Sequence, residues 1–217
     1  MRTAREATPD PKDLVRSGYD RCAGAYAARR RQDDSDLLTP LLDRLADGCQ
    51  ILDLGCGAGV PVTRALAKRH AVTGVDISPG MLRLAEAAVP GARFVCSDIA
   101  EVRFPEDSFD AVVAIFVLFH LPREEHPELL RSIWTWLRPG GYFLATLTES
   151  GEPPRIEEDF FGVPMYWSSL GWSDYEGVLE RLGFTIHGGR IIGRGYGRTR
   201  TDRDERHPLV LAQKGRR

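Results

Sequence analysis

The sequence predicts an α/β domain, with parallel strands forming one sheet and helices packed on both faces. Three observations predict it. From residue 49 to 148, short apolar runs alternate with stretches of helical period. The first run opens into ILDLGCGAGV (51–60), which holds three glycines in five residues. The first three runs each carry an aspartate at or near the end: Asp53, Asp76 and Asp98. Such alternation is what parallel strands joined by crossover helices produce.

The elements follow in order. Residues 1–16 are polar and proline-containing and read as a leader, with one domain over 17–217. A helix is expected from Ser17 through GYDRCAGAYAARRR, and DLLTPLLDRLAD (36–47) has helical apolar spacing, so 17–47 reads as a helical cap. CQILDL (49–54) is a strand and VPVTRALAKRH (60–70) a helix. HAVTGVDI (70–77) is a strand; Ser78 and Pro79 then open a helix as N-cap and first helical residue. ARFVCSD (92–98) and FDAVVAIFV (109–117) are strands. REEHPELLRSIWTWLR (123–138) is a helix stopped by Pro139-Gly140-Gly141. YFLATLT (142–148) is the fifth strand. After a long aromatic connector (149–172) come a helix (173–183) and two strands (184–192 and 207–214). No helix separates the last two, so they pair antiparallel.

The chain has 217 residues, 42% hydrophobic and 28% charged, enough for one domain with a buried core. A net charge of −2 argues against non-specific nucleic-acid binding. Six arginines in 189–206 are partly cancelled by Asp202, Asp204 and Glu205, which suits a solvated loop between the last strands. The longest apolar run, AVVAIFVLF (111–119), is far short of the roughly 20 residues a membrane helix needs. With no signal segment and no C-x-x-C pair among Cys22, Cys49, Cys56 and Cys96, the expectation is a cytoplasmic protein with free thiols, a monomer or homodimer without a metal site.

A dinucleotide turn would read G-x-G-x-x-G, and in that frame Val60 stands where the third glycine should be. The frame present is D-x-G-x-G-x-G over Asp53, Gly55, Gly57 and Gly59. A carboxylate at Asp53 repels a pyrophosphate but suits a cationic group. Asp76, at the end of the second strand, is placed to accept two ribose hydroxyls. Asp98 is placed to reach an adenine amino group, with Ile77 and Ile99 able to sandwich the ring.

ILDLGCGAG, VDISPGML, SDI, SFDAVVAIFVLFHL and LRPGGYFL, in this order and spacing, resemble the successive motifs of class I S-adenosylmethionine-dependent methyltransferases. The resemblance spans roughly residues 17–148. It implies a Rossmann-like doubly wound sheet of seven strands in the order 3-2-1-4-5-7-6, with the seventh antiparallel. It also implies S-adenosyl-L-methionine as cofactor. Asp53, Gly55, Cys56, Gly57 and Gly59 would border its methionine part. Asp76 would hold the ribose, with Ile77 and Met81 of the same motif beside it, and Asp98 and Ile99 would meet the adenine. Ile115 and Phe116 would line the methyl end, with Tyr19 and Tyr26 closing over the cofactor. His120 is the candidate base at the reaction centre. Phe160, Phe161, Tyr166 and Trp167, within the 149–172 insertion, are read as a lid walling an acceptor pocket; the alternative is that they only cover the sheet edge. The expected reaction is methyl transfer to an oxygen, nitrogen or carbon atom of a small molecule. The alternatives are a methyltransferase for RNA or protein, and a cofactor-binding relative that transfers no methyl.

Overall fold

The computed structural model describes residues 9–29, 35–193 and 206–216. The helices are α1 (Pro11–Arg29), α2 (Thr39–Leu42), α3 (Val62–Leu66), α4 (Pro79–Ala88), α5 (His126–Trp136) and α6 (Trp172–Leu182). The strands are β1 (Gln50–Leu54), β2 (Ala71–Asp76), β3 (Arg93–Cys96), β4 (Phe109–Ala114), β5 (Leu137–Thr146), β6 (Glu152–Phe160), β7 (Val163–Ser169), β8 (Phe184–Gly193) and β9 (Arg206–Lys214).

Seven strands form one sheet in the order β3-β2-β1-β4-β5-β9-β8. Pairings from β3 to β5 are parallel, and β9 runs antiparallel to both neighbours. Counted within this sheet, that is the expected 3-2-1-4-5-7-6. The order reverses between β1 and β4, and ligands of open α/β sheets bind at the carboxyl ends of strands near such a reversal.

Both faces of the sheet are covered, so the central strands are apolar on both sides. Leu52, Leu54, Val112, Ala114 and Phe143 pack with Leu130, Ile133 and Trp136 of α5 and Leu179 of α6. On the other face Ile51, Ala111, Val113 and Leu144 pack with Leu41, Val62 and Leu66. A third cluster joins α1 to β7 through Val15, Cys22, Tyr26, Val163 and Met165. A Cβ at Gly18 would lie 2.9 Å from Met165 Cε, so the missing side chain lets α1 lie close on β7.

Four elements differ from the sequence reading. Helix α1 begins at Pro11, inside the stretch read as leader. Asp10 Oδ1 accepts from Lys12 N at 2.8 Å, an N-cap bond, and Pro11 takes the first helical position, where its missing N–H costs nothing. The 36–47 helix is instead a short 3-10 turn followed by α2, because Pro40 fits only the first turn of a helix. Strand β5 starts at Leu137, directly out of α5. The 149–172 connector contains an antiparallel hairpin, β6–β7, whose two-residue turn puts Phe161 at φ 54 and Gly162 at φ 81. Two positive φ values are the mark of a hairpin turn that matches strand twist. Most of the arginine-rich loop, residues 194–205, lies outside the described residues.

Candidate active site

Asp53 lies near the carboxyl end of β1, Asp76 at the end of β2, and Asp98 two residues beyond β3. All three face one cavity, which holds about 910 Å³ of empty space out to its open mouth. Thr63 Oγ1 donates to Asp53 Oδ2 at 2.6 Å. Asp76 accepts from Gly57 N at 2.8 Å and from Ser78 N at 2.9 Å. Burial raises the Asp76 pKa to about 6; the two backbone donors oppose the shift and the nearby Asp20 carboxylate adds to it. The Lys12 ammonium stands 2.7 Å from Asp98 Oδ2, and Ala100 N donates to Oδ1 at 2.8 Å.

The glycine turn crosses between β1 and β2. Gly55 has φ +66, and a Cβ there would lie 2.2 Å from Val117 Cγ2, so only glycine fits. Gly57, at φ +53, would project a Cβ into open space. Cys56 is buried and also lines the cavity. Burial, with Asp76 and Asp53 beside it, holds its thiol well above the usual range, so it fills space and is no nucleophile. Gly59 is the one glycine of the turn that does not line the cavity; it packs against Ala85 of α4.

Ile77, Met81, Ile99 and Ile115 complete the apolar wall on the sheet side. Phe116, just past β4, lines it as well at φ 56, a conformation that costs a bulky residue about 1–2 kcal/mol. Thr146 holds it there, its buried Oγ1 accepting from Phe116 N at 2.6 Å. Opposite, α1 presents Lys12, Val15, Tyr19 and Tyr26 along one face.

His120 closes the far end. Its Nδ1 lies 3.1 Å from the Tyr166 carbonyl oxygen, which can only accept, so Nδ1 carries the proton. Nε2 therefore offers its lone pair, and the Tyr19 hydroxyl donates to it at 2.7 Å. Burial lowers the His120 pKa to about 4, only partly offset by the bond to Tyr166.

The four lid residues gather next to this pair without lining the cavity. Trp167 lies 4.5 Å from the His120 ring and Phe160 5.9 Å from Tyr19, centroid to centroid, while Phe161 packs 5.5 Å from Tyr26. Tyr166 contributes its backbone carbonyl; its ring is buried between α1 and the hairpin. Trp172, from the same connector, starts α6 and packs into the α5–α6 core, away from the rest. Sequence reasoning missed Lys12, Val15, Ala58, Val60, Val62, Val117 and Leu121. Ala58, Val60 and Val62 adjoin the glycine turn and were within reach. Lys12 and Val15 were hidden in the stretch read as leader. His207 of β9 lies 5.3 Å from the Phe116 ring, outside the cavity lining.

Among the described residues, no group of three His, Cys, Asp or Glu side chains converges as for a metal ion, and no helix is long and apolar enough to cross a membrane.

Residues 51–141 match the family model of a methyltransferase domain. The chain is 32% identical to a trans-aconitate 2-methyltransferase of Methylobacterium nodulans over 177 residues, 74% of this chain and 66% of that protein. It belongs to the class I S-adenosylmethionine-dependent methyltransferases. Another methyltransferase relative, a 2-methyl-6-phytyl-1,4-hydroquinone methyltransferase of Synechocystis, is 31% identical over 65% of this chain and 47% of that protein. The chain thus spans between about half and two thirds of these curated relatives. A solved methyltransferase structure, the magnesium protoporphyrin IX methyltransferase of Synechocystis with S-adenosylmethionine bound, shares the fold at a TM-score of 0.72. It is 17% identical and covers 97% of this chain and 100% of that one.

Proposed function

We propose that this protein transfers a methyl group from S-adenosyl-L-methionine to a small molecule. The observation that carries the reading is the convergence of Asp53, Asp76 and Asp98 on one cavity, over a glycine turn whose backbone is open at Gly57. The donor set fits the cofactor. Asp76 keeps acceptor capacity for two ribose hydroxyls beyond its two backbone bonds, because a carboxylate has about four lone-pair sites. Ile77 and Ile99 offer apolar faces for an adenine, and Asp53 sets negative charge where a sulfonium-bearing amino acid would lie. Cys56, Gly55, Met81, Ile115 and Phe116 shape the wall, with Tyr19 and Tyr26 as its roof. When bound, the cofactor supplies a methyl group already activated by positive charge on sulfur.

The protein's own work is alignment and exclusion of water. Tyr19 meets the acceptor, and His120 holds the Tyr19 hydroxyl in place. With both nitrogens engaged and a pKa near 4, His120 reaches an acceptor proton only through Tyr19. Phe160, Phe161 and Trp167 wall the acceptor, and the Tyr166 carbonyl fixes the His120 tautomer. The reading extends to a cytoplasmic setting, supported by four free cysteines, Cys22, Cys49, Cys56 and Cys96, and to an acceptor other than nucleic acid, supported by the net charge of −2.

Calorimetric titration with S-adenosylhomocysteine, followed by a screen of phenol, amine and carboxylic-acid acceptors for its release, tests the reading. Micromolar binding with at least one productive acceptor supports it. No binding of either cofactor form ends it.

A further inference from the structure

Lys12 enters the cavity from the first turn of α1, outside every motif of the glycine turn and strand ends. Its ammonium stands 2.7 Å from Asp98 Oδ2, 2.7 Å from Glu125 Oε2 and 3.9 Å from Glu101 Oε1. Only 23% of the Lys12 side chain and 10% of the Asp98 side chain are exposed. Burial opposes the Lys12 charge, but Asp98 and Glu125 outweigh it and raise its pKa, so the group stays an ammonium. An ammonium has three N–H donors. Asp98 and Glu125 hold it by charge, and Lys12 lines the cavity with donor capacity to spare.

Asp98 Oδ1 accepts from Ala100 N, while its buried Oδ2 meets the Lys12 ammonium as an ion pair and accepts no hydrogen bond among the described residues. Its Oδ2 therefore has acceptor capacity left for a ligand. The cavity wall therefore presents an acceptor and a donor side by side. An aminopurine presents the complement: an amino donor flanked on each side by a ring nitrogen that only accepts.

We propose that Lys12 and Asp98 together read the amino edge of the cofactor's adenine, Asp98 accepting from the amino group and Lys12 donating to one of the ring nitrogens that flank it. Lys12 is then a specificity-determining residue, contributed by α1 and not by the sheet. The inference rests on the cofactor reading above.

The test is calorimetric binding of S-adenosylhomocysteine and of its 1-deaza and 7-deaza forms, in which a flanking ring nitrogen is replaced by C–H. Wild-type protein is expected to lose about tenfold in affinity for one of the two deaza forms. Lys12→Met is expected to bind the parent about tenfold more weakly, with no further loss for that deaza form. Full-affinity binding of both deaza forms by the wild type overturns the proposal without any variant. A deaza penalty that persists in Lys12→Met also overturns it and leaves Lys12 as a structural tie only. Wild-type protein that binds no S-adenosylhomocysteine defeats the cofactor reading itself, a separate outcome.

Discussion

Asp20 Oδ1 accepts two hydrogen bonds at 2.7 Å, one from the Ser78 hydroxyl and one from Gly80 N. Ser78 Oγ accepts from Met81 N at 3.0 Å, and Pro79 has no N–H to satisfy. The N-terminus of α4 is thus capped jointly by its own serine and by a residue of α1. Asp20→Ala should cost about 1–2 kcal/mol of stability, as for a lost cap, and Asp20→Asn clearly less because an acceptor remains. Urea unfolding of both variants measures this. Equal stability of wild type and Asp20→Ala would show the cap to be idle.

Asp76 sets a pH threshold for the cofactor. Burial raises its carboxyl pKa to about 6, and ribose hydroxyls donate best to the ionised form. Affinity for S-adenosylhomocysteine should fall as pH drops through 6. Asp76→Asn should bind at least tenfold more weakly at pH 8, about 1.4 kcal/mol, and show no such fall. A wild-type affinity that is flat from pH 8 to 5 contradicts this.

Tyr19→Phe keeps the ring that packs on Phe160 and His120 but deletes the hydroxyl that donates to His120. Turnover is expected to drop about 10²-fold, the low end for a lost proton-transfer partner. Cofactor affinity should change less than threefold. Affinity and turnover falling in parallel would assign Tyr19 to cofactor binding alone.

Two histidines govern acid stability. His126 donates from Nε2 to the Leu121 carbonyl at 3.2 Å and accepts from the Tyr175 hydroxyl at 2.8 Å. Burial lowers its pKa to about 4, as it does for His120. Unfolded histidine binds its proton near 6.5, so the stability from keeping both neutral is full above that value and is lost as pH falls toward 4. Asp76 works the other way. Its folded pKa is raised, so its contribution is present below the unfolded value of 3.8 and is lost as pH rises through about 6. With two groups against one, melting temperature should fall between pH 7 and pH 5. His126→Gln should flatten that fall. Parallel melting curves for the two proteins across this range would refute the assignment.

Trp167→Ala should impair methyl transfer far more than cofactor binding, since Trp167 packs against the His120 ring and does not line the cofactor cavity. Melting temperature, cofactor affinity and turnover on this variant separate an acceptor wall from plain packing. A large stability loss with intact turnover removes the lid from the account.

What was legible in the sequence shares one property: each residue's role follows from its immediate neighbours. Gly55 and Gly57, Asp76 with Ser78, and Asp98 all sit where a strand ends in a turn, and the pattern around them announces it. The rest depends on distant parts of the chain. Tyr19 and His120 are 101 residues apart, and no local signal pairs them. Lys12 was hidden because the polar, proline-containing start was read as a leader, although an aspartate followed by proline also starts a helix. The β6 strand was missed because EPPRIEEDF is polar and mostly exposed, and because its turn, Phe161-Gly162, lacks the usual asparagine.

None of residues 152–169 lines the cofactor cavity, yet the hairpin they form leans on His120 through the Tyr166 carbonyl and the Trp167 ring. On the proposed reading, acceptor choice rests on this hairpin and methyl supply on the strand ends, two separate stretches of chain. On that reading, a change confined to the hairpin alters the acceptor and leaves the strand-end residues in place. Transplanting 149–171 from a relative is the shortest route to redirecting this scaffold.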